Sequence, residues 1–209
     1  EQVVQAISSG LKDQFYNWLQ QIEIPDYKKD SFTLLKINRA AKFLSFNYTP
    51  TLQEVYGVKE SEIVHIHGVK SDTIDDVILG HGWSQSDRPH LNEEQNIDTR
   101  VMEGNHIIDG YFKDTFKPTD ELIQRHKQFF LSLTQVTEIY VWGHSLSDVD
   151  MPYFSAIEKM SKQSNPIWHI SYYSDSSVSH NKATMVRLGV PASRIKHHKL
   201  DQYHVVSKT

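Results

Sequence analysis

The sequence predicts an α/β fold in which a mostly parallel sheet is sandwiched between helices. Short apolar runs suited to buried strands alternate with segments whose apolar residues recur at helical spacing. The runs at residues 43–46, 63–66, 139–142 and 167–172 are the candidates for neighbouring parallel strands. Asparagine, histidine or glycine directly follows the first three runs, so we expect polar groups to collect at the carboxyl edge of the sheet.

Composition narrows the class of protein. Hydrophobic residues make up 38% of the 209-residue chain and charged residues 23%, as in ordinary globular domains. The absence of cysteine excludes disulfides, iron–sulfur clusters and cysteine-ligated zinc. No apolar run approaches the roughly 18 residues of a membrane span, and no signal peptide is visible. We therefore expect a cytoplasmic protein without membrane contacts. A net charge of −4 gives no electrostatic reason to expect nucleic acid as a partner.

The first 30 residues are predicted to be a helical lead-in to a single α/β domain spanning residues 1–209. Apolar side chains three to four residues apart, among them Val4, Leu11 and Leu19, indicate an amphipathic helix up to about residue 22. A turn-rich segment and a basic stretch at residues 36–42 then precede the first buried strand.

The strand at residues 43–46 is followed by a polar turn that begins with Asn47. Thr49 is a candidate helix N-cap and Pro50 a candidate first helical residue, so a short helix is expected next. The side chain of Asn47 can cap this turn or contact a ligand, and the pattern leaves both roles open.

The next strand, residues 62–67, carries His65 and His67 on one face because side chains alternate along a strand. Together they can bind a metal, or one can be functional while the other packs. Gly68 permits a close approach of another backbone segment. A further apolar run at residues 77–79 leads into Gly-His-Gly and is a candidate short strand that places His81 nearby.

The middle and the end of the chain continue the alternation. Residues 83–96 are predicted to form a long surface loop. We expect a helix at residues 97–116, interrupted near Gly104 and Gly110, and a second helix with Thr119 as its N-cap. A buried strand at residues 165–173, a loop at 175–179, a helix at 181–188 and an edge strand at 193–200 complete the prediction.

The segment at residues 138–157 reads as a strand, a glycine turn and the start of a helix. The strand stops at Gly143, and His144, Ser145 and Asp148 follow before apolar residues resume at helical spacing. Backbone N–H groups at a helix start favour anionic oxygens, so a ligand site fits this segment. A helix start without a ligand fits it equally well.

Taken in order, these polar strand ends resemble the bacteriophage abortive-infection AbiH family, which belongs to the sirtuin-like group of Rossmann folds. The matching pieces are Phe-Asn-Tyr-Thr at residues 46–49, His-Ile-His-Gly at 65–68, Gly-His at 80–81, and Gly-His-Ser-Leu at 143–146 followed by Val-Asp and Tyr-Phe. The resemblance extends over residues 43–157. It implies a sirtuin-like Rossmann variant and a prokaryotic anti-phage protein.

The resemblance also implies a nucleotide site for NAD. Asn47 and His67 match the catalytic residues, which flank the nicotinamide ribose in sirtuin-like enzymes. A neutral amide can orient a water or a ribose hydroxyl, and a histidine accepts a proton near neutral pH. The residues expected to contact the nucleotide are Tyr48, Thr49, Gly68, His81, Gly143, His144, Ser145, Asp148 and Asp150.

Two departures from the family pattern refine this expectation. Sirtuin-like folds and AbiH proteins begin with a glycine-rich strand–loop–helix that binds phosphates, and no such element occurs in this sequence. We therefore expect the sequence to start after that element. Protein deacetylases of the sirtuin group carry a zinc ribbon of four cysteines, so their activity is not expected here. The functions that the resemblance still implies are NAD hydrolysis and NAD sensing.

Two other functions fit parts of the sequence. A metal-dependent phosphoesterase or nuclease would use histidines such as His65, His67, His106 and His144. The Gly-Asp-x-x-Asp element that supplies a bridging carboxylate is absent, so we expect no bound metal. The third function is a non-catalytic defence module that senses a nucleotide or a phage component. Its partners would be other defence proteins or a second copy of the chain.

Overall fold

A computed structural model describes residues 2–26, 33–82, 98–200 and 206–207, and it has the predicted α/β architecture. The helices are α1 (Gln2–Gln21), α2 (Thr51–Glu54), α3 (Thr99–Asp114), α4 (Thr119–Arg125), α5 (Lys127–Leu131), α6 (Met151–Ser161) and α7 (Asp175–Arg187). The strands are β1 (Thr33–Leu34), β2 (Phe43–Ser45), β3 (Ile63–His65), β4 (Glu138–Val141), β5 (Ile167–Tyr172), β6 (Ile195–Lys199) and β7 (Val206–Ser207).

The core strands are parallel, as predicted, but they form two groups and not the single sheet that we expected. β2 pairs with β3, and β4, β5 and β6 pair in that order. A short antiparallel pair joins β1 to β7. Side-chain packing links the two parallel groups: Phe46, after β2, stacks on Phe154 of α6 with ring centroids 5.8 Å apart. The predicted edge strand is β6, which pairs only with β5 among the described strands.

The hydrophobic core lies between the strands β4–β6 and helices α6 and α7. Trp168 and Ile170 of β5 pack in one cluster with Tyr153 of α6 and Met185 of α7, and all four are at most 1% exposed. α6 is helical because Pro152 fits its first turn and because its buried residues recur three to four positions apart. The core therefore fixes where α6 begins relative to the end of β4.

Two helix predictions need correction. α3 runs without interruption through Gly104 and Gly110, since a helix of this length tolerates a glycine at a cost of about 1 kcal/mol. α7 begins at Asp175, so the expected loop at residues 175–179 is its first turn, where the negative charge of Asp175 is favourable. The predicted loop at residues 83–96 lies outside the described residues.

Two helix boundaries and one predicted strand also differ from the prediction. α2 starts at Thr51 and α4 at Thr119, with the preceding prolines at the N-cap positions. Residues 77–82 form no strand: a hydrogen bond from Ile78 N–H to the His67 carbonyl and one bridge between His81 and Phe116 replace the expected ladder. Among the described residues, no helix is both long and apolar enough to cross a membrane.

Gly68 provides a stability test of the turn after β3. Its φ is +84°, and an added Cβ would lie 2.6 Å from the Asp76 carbonyl oxygen. We expect Gly68→Ala to lower the free energy of unfolding, measured in urea, by about 1–3 kcal/mol through the left-handed conformation alone. The contact with the Asp76 carbonyl should add to that loss. Gly104→Ala is the control, with nothing within 4 Å of its Cβ, and should raise stability by roughly 0.5–1 kcal/mol. Equal effects of the two substitutions would contradict the close approach at Gly68.

Candidate functional site

The carboxylate of Asp150 is the centre of a buried polar cluster. The ammonium nitrogen of Lys117 lies 3.3 Å from Oδ1, and Nε2 of His67 lies 3.8 Å from the same oxygen. On the other side, the hydroxyl of Ser147 donates to Oδ2 at 3.1 Å, and Nε2 of His144 lies 3.3 Å from Oδ2. One carboxylate thus faces one cation, two imidazoles and one hydroxyl.

Segments far apart in the sequence supply these groups. His67 follows β3, His144 follows β4, and Asp150 immediately precedes α6. Lys117 lies between α3 and α4, where its backbone N–H donates to the His81 carbonyl at 2.9 Å. The polar ends of β3 and β4 therefore meet, and His81 contributes by holding the segment that carries Lys117.

The turn after β4 directs His144 toward Asp150. Gly143 and Leu146 both have positive φ, 64° and 54°, and the Leu146 side chain is 1% exposed in the core. The Leu146 N–H donates to Nδ1 of His144 at 2.8 Å. Because Nδ1 accepts, the proton of a neutral His144 is on Nε2, which faces the carboxylate. A left-handed leucine costs of order 1–3 kcal/mol, and burial of its side chain offsets that cost.

Asp150 is ionised in the folded protein. Burial raises the pKa of its carboxyl, but the hydrogen bond from His144 and the charge of Lys117 outweigh burial and lower the pKa to about 2. Lys117 is itself buried, at 7% exposure, so the two opposite charges compensate each other inside the protein.

His67 is neutral at physiological pH. Burial, assisted by the positive charge of Lys117, lowers its pKa to about 4, although Asp150 acts in the opposite direction. Aromatic rings of Phe46, Tyr48 and Tyr153 surround the imidazole, with centroids 5.5–6.2 Å away. Within the described part of the chain its Nε2 has no hydrogen-bond partner. The imidazole is therefore unprotonated and able to accept a proton, although a pKa of about 4 makes it a weak base at neutral pH.

Two tyrosines border the cluster in different ways. The Tyr48 hydroxyl donates to the Ile78 carbonyl at 2.7 Å, and burial followed by the charge of Asp150 raises its pKa to about 12. Tyr153 is fully buried, and its hydroxyl has no hydrogen-bond partner among the described residues. Burial and the Asp150 charge also raise the pKa of Tyr153. Tyr48 therefore anchors the segment that contains Ile78, whereas no described residue hydrogen-bonds to the Tyr153 hydroxyl.

The two histidines of His-Ile-His do not share one face, contrary to the alternation we expected. β3 ends at His65, and the chain turns at residues 66 and 67, which buries His67 to 3% exposure. Ser45 and His65 are the last registered pair of β2 and β3, so Asn47 and His67 both lie two residues beyond it. The side chain of Asn47 is exposed at this edge.

The other predicted site residues lie around the cluster or away from it. Thr49 shares a hydroxyl hydrogen bond of 2.9 Å with Thr51 at the start of α2. Ser145 is exposed and makes no side-chain hydrogen bond to the described residues. Asp148 points outward and pairs with Arg187 of α7 at 2.8 Å. Of the two acids that we expected near the site, only Asp150 is buried in it.

Sequence reasoning did not identify Lys117, Ser147 or Tyr153. Lys117 is 33 residues from Asp150, and no spacing rule relates them. Tyr153 belongs to the Tyr-Phe pair that the family pattern contains, so that pattern was an available signal. Ser147 stands three residues before Asp150, as an ordinary helix-start serine would.

The cluster is not arranged as a metal centre. Lys117 places its ammonium beside Asp150 Oδ1, where a cation would otherwise compensate the carboxylate. Across the described ranges, no group of three His, Asp or Glu side chains has the geometry to hold a metal ion. That the protein binds no metal stays a prediction.

A cleft of about 460 Å³ opens elsewhere, between residues 34–39 and 53–57. No member of the Asp150 cluster lines it. We place the candidate site at Asp150 because ionisable groups with shifted pKa values concentrate there, as they do in catalytic sites.

Comparison with known proteins gives a family match. The family model described as "Bacteriophage abortive infection AbiH" matches residues 1–172. Neither the curated proteins nor the solved structures contain a significant match to the chain.

Removing Lys117 tests the charge balance of the cluster. We expect Lys117→Met to lower the free energy of unfolding at pH 7 by about 3–5 kcal/mol, because Asp150 loses its buried counter-charge. Arg187→Met breaks the exposed ion pair with Asp148 and should cost less than about 1 kcal/mol. Urea unfolding of both variants measures the difference, and equal losses would contradict a buried, compensated Asp150.

The lowered pKa of His67 predicts a pH dependence of stability. Between pH 6.5 and about 4 the unfolded chain binds a proton at residue 67 that the folded protein does not, so acid favours unfolding. Between pH 7 and pH 5 the wild type should lose about 2 kcal/mol more stability than His67→Gln. Urea unfolding at the two pH values measures this, and parallel losses would show that His67 titrates normally.

Proposed function

Because the chain belongs to the bacteriophage abortive infection AbiH family, we propose that it acts against phage by hydrolysing NAD at the Asp150 cluster. The reaction is expected in the cytoplasm, where NAD is available. A phage component, another defence protein or a second copy of the chain would supply the trigger. The nucleotide is both ligand and substrate in this proposal.

The observation that carries the proposal is a buried, neutral His67 beside an ionised Asp150. Oδ1 of Asp150 lies 3.8 Å from Nε2 of His67, beyond hydrogen-bond distance, so it is the negative charge of the carboxylate that favours the tautomer with the proton on Nε2. With that proton on Nε2, the lone pair of Nδ1 is left to accept a proton from substrate or water. His67 then serves as the general base at neutral pH.

Besides a base, hydrolysis of NAD requires a group that orients the water and a negative charge near the ribose. Cleavage of the bond between nicotinamide and ribose places positive charge on the ribose, and nicotinamide leaves with the bonding electrons. Water adds to the ribose carbon and gives its proton to His67, so the products are ADP-ribose, nicotinamide and a proton. Asn47, whose side chain is exposed just after β2, would orient the water or a ribose hydroxyl. The negative charge of Asp150 favours the cationic transition state.

A non-catalytic nucleotide sensor is the second candidate. The observation that favours it is the enclosure of the cluster: the side chain of His67 is 4% exposed and that of Lys117 is 8% exposed. A sensor would bind NAD, or a related nucleotide, without consuming it. The same assay separates the two functions.

We expect the full chain to consume NAD, and His67→Ala and Asn47→Ala each to lower turnover by a factor of the order of 10²–10⁴. His67→Ala removes the base, whereas Asn47→Ala removes the orienting amide. Turnover is measured as the nicotinamide released, which is quantified by chromatography. Thermal melts check that both variants are folded.

His180→Ala is the matched control, because His180 is exposed on α7 and belongs to no part of the site. It should leave turnover unchanged. Full activity in His67→Ala would exclude the proposed base. NAD binding without consumption by the wild type would favour the sensor.

A further inference from the structure

His65, the first histidine of His-Ile-His, has both ring nitrogens engaged. Its Nδ1 lies 3.0 Å from the Asn47 carbonyl oxygen, and its Nε2 lies 2.9 Å from the amide nitrogen of Gln53. A carbonyl only accepts hydrogen bonds, so the proton of a neutral His65 is on Nδ1. Nε2 then accepts from the Gln53 amide. The ring therefore has no lone pair left for a metal or a substrate proton.

Together with Ser45, this histidine holds the backbone of Asn47 on both sides of its Cα atom. The Asn47 N–H donates to the hydroxyl of Ser45 at 3.3 Å, and the Asn47 carbonyl accepts from His65. Ser45 and His65 face each other across β2 and β3. The backbone of Asn47 is thus held by the last registered pair of these strands, while its side chain is exposed.

We propose that His65 is a positioning residue: its hydrogen bond to the Asn47 carbonyl holds the backbone of Asn47 so that the exposed side-chain amide faces the nucleotide. This inference rests on the proposed function for its catalytic consequence, although the positioning itself does not depend on NAD. It divides the His-Ile-His motif between two tasks. His67 accepts the proton, and His65 orients Asn47 through its Nδ1–H.

The two nitrogens of His65 can be tested separately. An asparagine at this position places its amide nitrogen close to where Nδ1 was, and a glutamine places it close to where Nε2 was. His65→Asn should therefore keep the hydrogen bond to Asn47 and retain turnover within about threefold of wild type. His65→Gln should lose that bond and lower kcat by roughly 10–100-fold with little change in KM, as expected for a misplaced group.

Gln53→Ala completes the set, because it removes only the contact to Nε2. Turnover should stay within about threefold of wild type, since the Asn47 carbonyl still selects the Nδ1–H tautomer. Thermal melts identify any variant that fails to fold. A His65→Gln variant that is folded and fully active would overturn the inference.

A second readout keeps this test independent of NAD hydrolysis. In ¹H–¹⁵N spectra of the full chain, the backbone and side-chain amide signals of Asn47 should shift or broaden in His65→Gln and remain close to wild type in His65→Asn. That difference in an inactive wild-type protein would support the positioning and reject the proposed activity. Identical Asn47 signals in the two variants would overturn the positioning, whatever the activity.

Discussion

The burial of one ionised carboxylate, Asp150, is the constraint on which the rest of the site depends. A buried charge is strongly unfavourable unless it is paired and hydrogen-bonded. Lys117 supplies the counter-charge, and Ser147 and His144 satisfy the second oxygen. Because these groups come from separate segments, the requirement fixes the ends of β3 and β4 and the coil before α4 relative to α6. Burial lowers the pKa of His67, and the charge of Lys117 lowers it further, whereas Asp150 acts in the opposite direction.

Much of this fold was predictable from the sequence because α/β proteins have few layer arrangements. Buried apolar runs alternating with helical segments indicate parallel strands, and polar residues directly after those runs must lie at one edge. His67, His144 and Asp150 do meet there. The pattern does not say which strand edges are neighbours, so it did not predict the separation of the β2–β3 pair from β4–β6.

Sequence spacing did not predict which acid is buried or where β3 ends, because both depend on the local backbone conformation. Asp148 and Asp150 follow the same glycine turn, and the left-handed Leu146 with the 3-10 turn after it determines that Asp150 is the buried one. His65 and His67 have the spacing of residues on one face of a strand, but the strand stops between them. Each histidine consequently has different partners: His67 lies beside Asp150, whereas His65 contacts Asn47 and Gln53.

The proposed chemistry depends on an ionised Asp150 and a neutral His67. Titration of the His67 imidazole tests these charge states most directly. Long-range ¹H–¹⁵N spectra of the full chain between pH 3.5 and pH 8 would follow each histidine ring separately. With burial and Lys117 acting on it, His67 should remain neutral until its pKa of about 4. A His67 midpoint near 6.5, the ordinary value for histidine, would contradict a buried base held beside an ionised, compensated Asp150.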